Sequence, residues 1–121
     1  MSLPASDDDL LLLHNPRCSK SRAAKALLEE RGATFSERLY LEEPLSQDEL
    51  QDLASRLGKP ATEWVRRNED AFAEAGLASE SSAEAILTAI AAHPTLLERP
   101  ILIRGQRASI GRPPENILPL L

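Results

Sequence analysis

"LLLLHNPRCSKSRAAKALLEERG", residues 10–32, decides how this chain begins to fold. Leu10 to Leu13 form a short, unbroken apolar run. That is the pattern of a strand covered on both faces. "HNPRC", residues 14–18, must turn, because Pro16 biases Asn15 away from the helical region. From Ser19 to Arg31 the apolar positions Ala23, Ala24, Leu27 and Leu28 recur at helical spacing. Gly32 then supplies a left-handed stop. "TFSERLYL", residues 34–41, alternates in part and reads as a second strand. Strand, helix and strand in so little chain predict a βαβ unit with parallel strands.

Working outward, residues 1–9 are polar and acidic and predict a loose leader without the features of a signal peptide. Downstream the pattern turns helical. "SQDEL", residues 46–50, is a capping box of Ser46 with Glu49, opening a helix that carries Leu50, Leu53, Ala54 and Leu57 and ends at Gly58. A second helix is expected from Thr62 through Trp64 and Val65 to Asn68, continuing to Phe72. A third, residues 82–92, carries Ala85, Ile86, Ala89 and Ile90. "RPILIRG", residues 99–105, reads as a third strand, and "RASIG", residues 107–111, as a fourth, antiparallel one. The closing "RPPENILPLL" predicts a short helix from Pro113 or Pro114. Without the block at about 46–93, what remains is the βαβ–ββα plan of a thioredoxin-like fold. The expectation is an α/β protein, one domain over residues 1–121, with a helical insertion.

Bulk composition narrows the function. With 14 Lys and Arg against 19 Asp and Glu, the net charge of −5 gives no basic face for nucleic acid. No segment reaches the ~18 apolar residues of a membrane span. A single cysteine forms no internal disulfide and fits a reducing cytoplasm. Two histidines and that one cysteine are too few for a zinc site, no Gly-rich phosphate loop is present, and no bound cofactor or metal is expected. Nothing demands more than a monomer.

The chemistry concentrates at Cys18. It falls at, or one residue before, a helix N-terminus, where free amides and the positive end of the dipole favour thiolate over thiol. Arg17, Lys20 and Arg22 add positive charge nearby. Ser21 stands one turn in, placed to donate its hydroxyl to the sulfur, and His14 ends the strand facing the same loop. The competing reading is a small structural cysteine among solvated arginines. Position and charge favour the reactive thiol. Three further arginines have unusual contexts: Arg66 in "WVRRN", expected mid-helix, and Arg99 and Arg112, each directly before a proline. Guanidinium forks suit tetrahedral oxyanions. Arg67, Arg104 and Arg107 read as solvated.

"HNPRCSKSR", residues 14–22, resembles the active-site loop of the glutaredoxin-linked arsenate reductases, whose pattern is His-Asn-Pro-x-Cys-x-x-Ser-Arg. The similarity continues through "LYLEEPLSQDEL", "HPTLLERPILI" and "IGRPPE", in register over residues 11–118, and looks most like the short chromosomal subgroup of that family. The resemblance implies a thioredoxin-like core with a helical insert. It implies Cys18 as the nucleophile that forms an adduct with arsenate, glutathione as co-substrate, and glutaredoxin as the partner that resolves the mixed disulfide and releases arsenite. It implies Arg66, Arg99 and Arg112 as the arginines holding the oxyanion, His14 and Ser21 as residues lowering the thiol pKa, and Asn15 and Arg22 as loop residues positioning the oxyanion or glutathione. It also implies a cis peptide at Arg99–Pro100. Two relatives of the fold compete: another glutathione-dependent thiol reductase or transferase, and a regulator binding RNA polymerase through a Cys-x-x-Cys switch. Ser21 removes that switch.

Overall fold

The computed structural model describes residues 3, 4 and 6–121; Met1, Ser2 and Ala5 of the expected leader lie outside the described residues. The chain forms two compact units. One joins the described residues up to Glu43 with Arg99–Leu121, and the other is Pro44–Glu98.

The first unit is a four-stranded sheet in the order β2-β1-β3-β4. β1 (Leu10–His14) is central because both faces of the leucine run are buried, with Leu12 and Leu13 fully so. Helix α1 (Ser19–Glu30) returns the chain to β2 (Ser36–Leu39), which pairs parallel to β1, with His14 opposite Leu39. β2 is shorter than its alternation suggests. The Glu42 and Glu43 amides both donate to Leu39 O, which ends the strand in a turn. On the other side of β1 lies the antiparallel β3 (Ile101–Arg104), then the antiparallel β4 (Arg107–Ile110). Ala24 and Leu28 of α1 pack with Leu12, Leu102, Ile117 and Leu120 in one buried cluster.

Three details depart from the sequence pattern. The closing segment Pro114–Leu120 is a 3-10 helix and not an α-helix. Pro119 inside it has no N–H for an α-type bond. Among the residues expected in a loose leader, Leu3 is 5 % exposed, and Asp7 O accepts a 2.7 Å bond from Arg104 Nε. Arg104 is therefore not solvated. Its Nη1 also donates to Leu120 O at 2.8 Å, tying the two ends of the chain to β3.

The second unit holds α2 (Gln47–Leu57), α3 (Asp70–Glu74) and α4 (Ala83–Ala92). Both bonds of the capping box form: Glu49 N–H to Ser46 Oγ at 3.1 Å and Ser46 N–H to Glu49 Oε1 at 3.0 Å. Gly58 ends α2 with φ of 67°, a left-handed conformation that favours glycine. Leu50, Leu53, Ile86, Ile90 and Trp64 are buried. The long second helix expected over residues 62–72 does not form. A single 3-10 turn, Ala61–Glu63, is followed by Val65 bridging antiparallel to Leu97. The Arg66 amide donates to Leu96 O at 2.7 Å and the Glu98 amide to Trp64 O at 3.0 Å. These amides are spent on a partner segment, so helix resumes only at α3. Arg66 is thus on an extended stretch, not mid-helix. Arg67, read as solvated, donates to Thr62 O and stands 5.9 Å over the Phe72 ring.

Candidate active site

The site is built at the C-terminal end of β1, the central strand, where the chain leaves the sheet and enters α1. Parallel pairing on one side and antiparallel on the other leave room above this end, the usual place for a ligand in an open α/β sheet. Pro16 turns the loop, and the Cys18 amide closes it by donating to Asn15 O at 3.0 Å. Cys18 is the N-cap residue of α1, extended at φ −95° and ψ 124°. The first turn of α1 contains no acidic residue, so no side-chain carboxylate there competes with a thiolate for the helix dipole.

Three groups outweigh the effect of burial on the thiol. Burial is the largest single influence and pushes the Cys18 pKa up. The Ser21 backbone N–H, the Arg99 side chain and the Lys20 backbone N–H each favour the anion, and the net result is a thiol below its ordinary value. The cation that matters is therefore Arg99, delivered from the segment entering β3, and not the side chains of Arg17, Lys20 or Arg22. Arg17 and Lys20 are exposed, and Arg22 Nη1 is turned back onto Pro16 O at 2.9 Å.

Ser21 acts differently from its sequence reading. Its side chain is fully buried on the seam of α1 that also holds Ala24 and Leu28. Its hydroxyl oxygen lies 2.7 Å from His14 Nδ1 and accepts the Asn15 backbone N–H at 3.0 Å. When Nδ1 carries no proton, the Ser21 hydroxyl hydrogen goes to His14 and is not available to the sulfur. Ser21 reaches the thiol through its backbone amide. Its hydroxyl instead locks His14, Asn15 and the start of α1 together. Asn15 Oδ1 adds a bond from the Arg17 amide at 3.0 Å. Burial holds the His14 pKa below its usual value, with Glu37 pulling the other way and Lys25 and Arg22 assisting the fall. Neutral imidazole is therefore favoured at neutral pH.

Arg99 and Arg112 lie together. Both precede cis prolines, Pro100 and Pro113, and Arg112 Nη1 approaches Arg99 O at 3.3 Å. The cis bond at Arg99–Pro100 was expected, whereas that at Arg112–Pro113 was not. Gly111 is forced to be small: a Cβ there would come within 2.8 Å of Pro100 Cγ. Arg112 is exposed and Arg99 half-buried. Arg66 belongs to the other unit, where Glu69 and Glu98 hold its guanidinium. Sequence reasoning picked out the free amides at the start of α1 but not a cavity of about 300 Å³ beside the loop, lined by His14, Asn15, Pro16, Arg17, Leu39, Leu41 and Glu42. Its far wall comes from Leu39 at the end of β2 and from Leu41 and Glu42 just beyond it, and no local sequence pattern marks it. Among the described residues, no group of three or more His, Cys, Asp or Glu side chains is arranged to hold a metal ion, and no helix is long and apolar enough to cross a membrane.

A sequence model of the ArsC family matches residues 13–120. An arsenate reductase of Neisseria meningitidis is 45 % identical over 111 residues, covering 90 % of this chain and 95 % of that one. An arsenate reductase of Haemophilus influenzae is 40 % identical over 114 residues, covering 93 % and 98 %. The solved structure of an arsenate reductase from Vibrio cholerae superposes with a TM-score of 0.88 at 39 % identity, covering 98 % of this chain and all of that one. The mixed sheet, the thiol at the head of α1 and these matches agree: the chain has the thioredoxin-like fold of the arsenate reductases and belongs to the ArsC family.

Proposed function

We propose that this protein reduces arsenate to arsenite with Cys18 as nucleophile, and that glutathione and glutaredoxin supply the electrons in a reducing cytoplasm. The observation that carries the reading is a thiol held below its ordinary pKa at the head of α1 with the Arg99 guanidinium on it, in a chain of the ArsC family. The Cys18 thiolate attacks arsenic and an oxygen leaves as water, giving a sulfur–arsenic bond. A glutathione thiolate then attacks the Cys18 sulfur. The electron pair of the sulfur–arsenic bond stays on arsenic, which departs as arsenite. The remaining mixed disulfide of Cys18 with glutathione passes its glutathione to a glutaredoxin thiol. Cys18 is the chain's sole cysteine, so no internal thiol can compete for this step.

Arg99, Arg112 and Arg66 are the oxyanion-holding set in this reading. Asn15 and Arg22 shape the loop that presents the sulfur. The test is a coupled assay with arsenate, glutathione, glutaredoxin, glutathione reductase and NADPH. Arsenate-dependent NADPH oxidation is expected from the wild type and not from Cys18→Ser. Equal rates in the two would overturn the reading.

A further inference from the structure

The cavity of about 300 Å³ beside the active-site loop is walled by residues of one unit alone, and none of the three proposed oxyanion arginines lines it. His14 and Asn15 do, and they are only 4 % and 8 % exposed. Polar atoms so deeply buried are normally bonded. Ser21 Oγ accepts the Asn15 backbone N–H at 3.0 Å. Among the described residues its own hydrogen has one acceptor within reach, His14 Nδ1 at 2.7 Å. That fixes the imidazole tautomer. Nδ1 accepts, so the ring proton sits on Nε2, a donor that no described residue takes. Asn15 repeats the pattern. Its Oδ1 accepts the Arg17 amide at 3.0 Å, and no described residue accepts from its Nδ2. Two buried side chains thus keep N–H donors for an occupant of the cavity.

The remaining wall narrows the occupant. Arg17 adds a guanidinium on the loop side, while Leu39 and Leu41 make the β2 side apolar and Glu42 sets a carboxylate there. A few convergent polar groups in an otherwise apolar concavity suit a small organic ligand. The donors and the cation call for a carboxylate, and the leucines for uncharged chain. Glu42 repels a ligand that is anionic throughout, and a tetrahedral oxyanion is also far smaller than the cavity. A short peptide ending in a carboxylate meets all these terms. The thiol is within its reach. Cys18 Cα lies about 4 Å from that of Arg17 and at most about 8 Å from that of Pro16, and a carboxylate two residues of chain from a sulfur spans roughly 7 Å.

We propose that this cavity binds the glutathione co-substrate: His14 Nε2, Asn15 Nδ2 and the Arg17 guanidinium receive its glycine carboxylate, and its thiol is thereby directed at Cys18. The inference rests on the reading above that glutathione supplies the electrons.

The experiment measures binding apart from turnover. S-methylglutathione, which has no free thiol, is titrated calorimetrically into the intact protein, and saturable binding is expected. Asn15→Asp keeps an oxygen for the Arg17 amide and puts a second carboxylate oxygen in place of the Nδ2 donor, so binding should weaken about tenfold. Arg17→Gln and Leu41→Glu, on opposite walls, should each weaken it about threefold. Both residues are exposed, so these variants decide the matter if Asn15→Asp fails to fold. Converting the ligand's glycine carboxylate to an amide should weaken wild-type binding about tenfold. No binding to wild type overturns the site, as does equal affinity for the amide or unchanged binding in both Arg17→Gln and Leu41→Glu. Binding with the expected losses but no arsenate reduction leaves the site standing and removes the proposed reaction. Arsenate reduction with an unchanged KM for glutathione in every variant overturns the site and leaves the reaction.

Discussion

Removing the Ser21 hydroxyl separates two ways in which this side chain could serve the thiol. In Ser21→Ala the backbone amide that faces Cys18 stays, and the hydroxyl that serves His14 and Asn15 goes. Two buried groups lose their partner: the Asn15 N–H, bonded at 3.0 Å, and His14 Nδ1, at 2.7 Å. Orphaning a buried donor or acceptor costs about 1–3 kcal/mol. His14 lines the cavity beside the loop and recovers part of its hydration there, so the pair together costs about 2–4 kcal/mol. That is a large share of the ~5–15 kcal/mol by which a domain is stable. The midpoint of urea unfolding should fall accordingly at an unchanged slope. The rate of Cys18 alkylation by iodoacetamide against pH should keep its wild-type position, because Ser21 N–H, Lys20 N–H and Arg99 all remain. The reasoning fails if Ser21→Ala raises the apparent thiol pKa to that of an ordinary cysteine with stability intact. That result would place the hydroxyl on the sulfur after all.

Two further outcomes follow from the same network. Arg99→Ala should move the alkylation profile to higher pH, because it removes the side chain that offsets burial, while Arg17→Ala and Arg22→Ala should leave it in place; a shift in the latter two and none in Arg99→Ala would reverse the assignment of the cation. The lowered His14 pKa makes the folded state poorer at binding a proton than the unfolded chain. Stability is then full above the ordinary histidine value and falls as pH drops from there towards the lower folded value. Wild type should lose more unfolding free energy between pH 7.5 and pH 5 than His14→Gln, and an equal loss in both would refute it.

The run Leu10 to Leu13 and the caps at Ser46 and Gly58 were legible because their causes are local: continuous apolar character, a side-chain bond over three residues, and a left-handed φ. The thiol's place at a helix start was legible for the same reason. Arg66 was misplaced because nothing nearby says that the Arg66 and Glu98 amides are spent across the Val65–Leu97 bridge. Helix periodicity over residues 62–72 was real, but a pairing more than thirty residues away in sequence won. Ser21 carried a usable signal that was passed over. It sits three residues before Ala24 and seven before Leu28, on the buried seam of α1, where a hydroxyl must find a protein partner.

The same local bias explains why the cation on the thiol was sought among neighbours. Arg17, Lys20 and Arg22 are close in sequence, yet a surface cation near a helix start gains more from water than from a sulfur it would have to bend towards. Arg99 arrives half-buried on the segment that leads into β3, the strand that pairs with β1, so its charge is less screened than that of a surface cation. That placement creates a conflict. A thiolate and an oxyanion are both negative, and both would draw on Arg99. An oxyanion that took Arg99 alone would raise the thiol pKa as it bound and disarm its own nucleophile. The proposed reaction then needs a second cation at the same place, and Arg112, whose Nη1 donates to Arg99 O at 3.3 Å, lies beside it. In the proposed reaction Arg99 would serve the sulfur first, and Arg112 would take the larger share of the incoming charge.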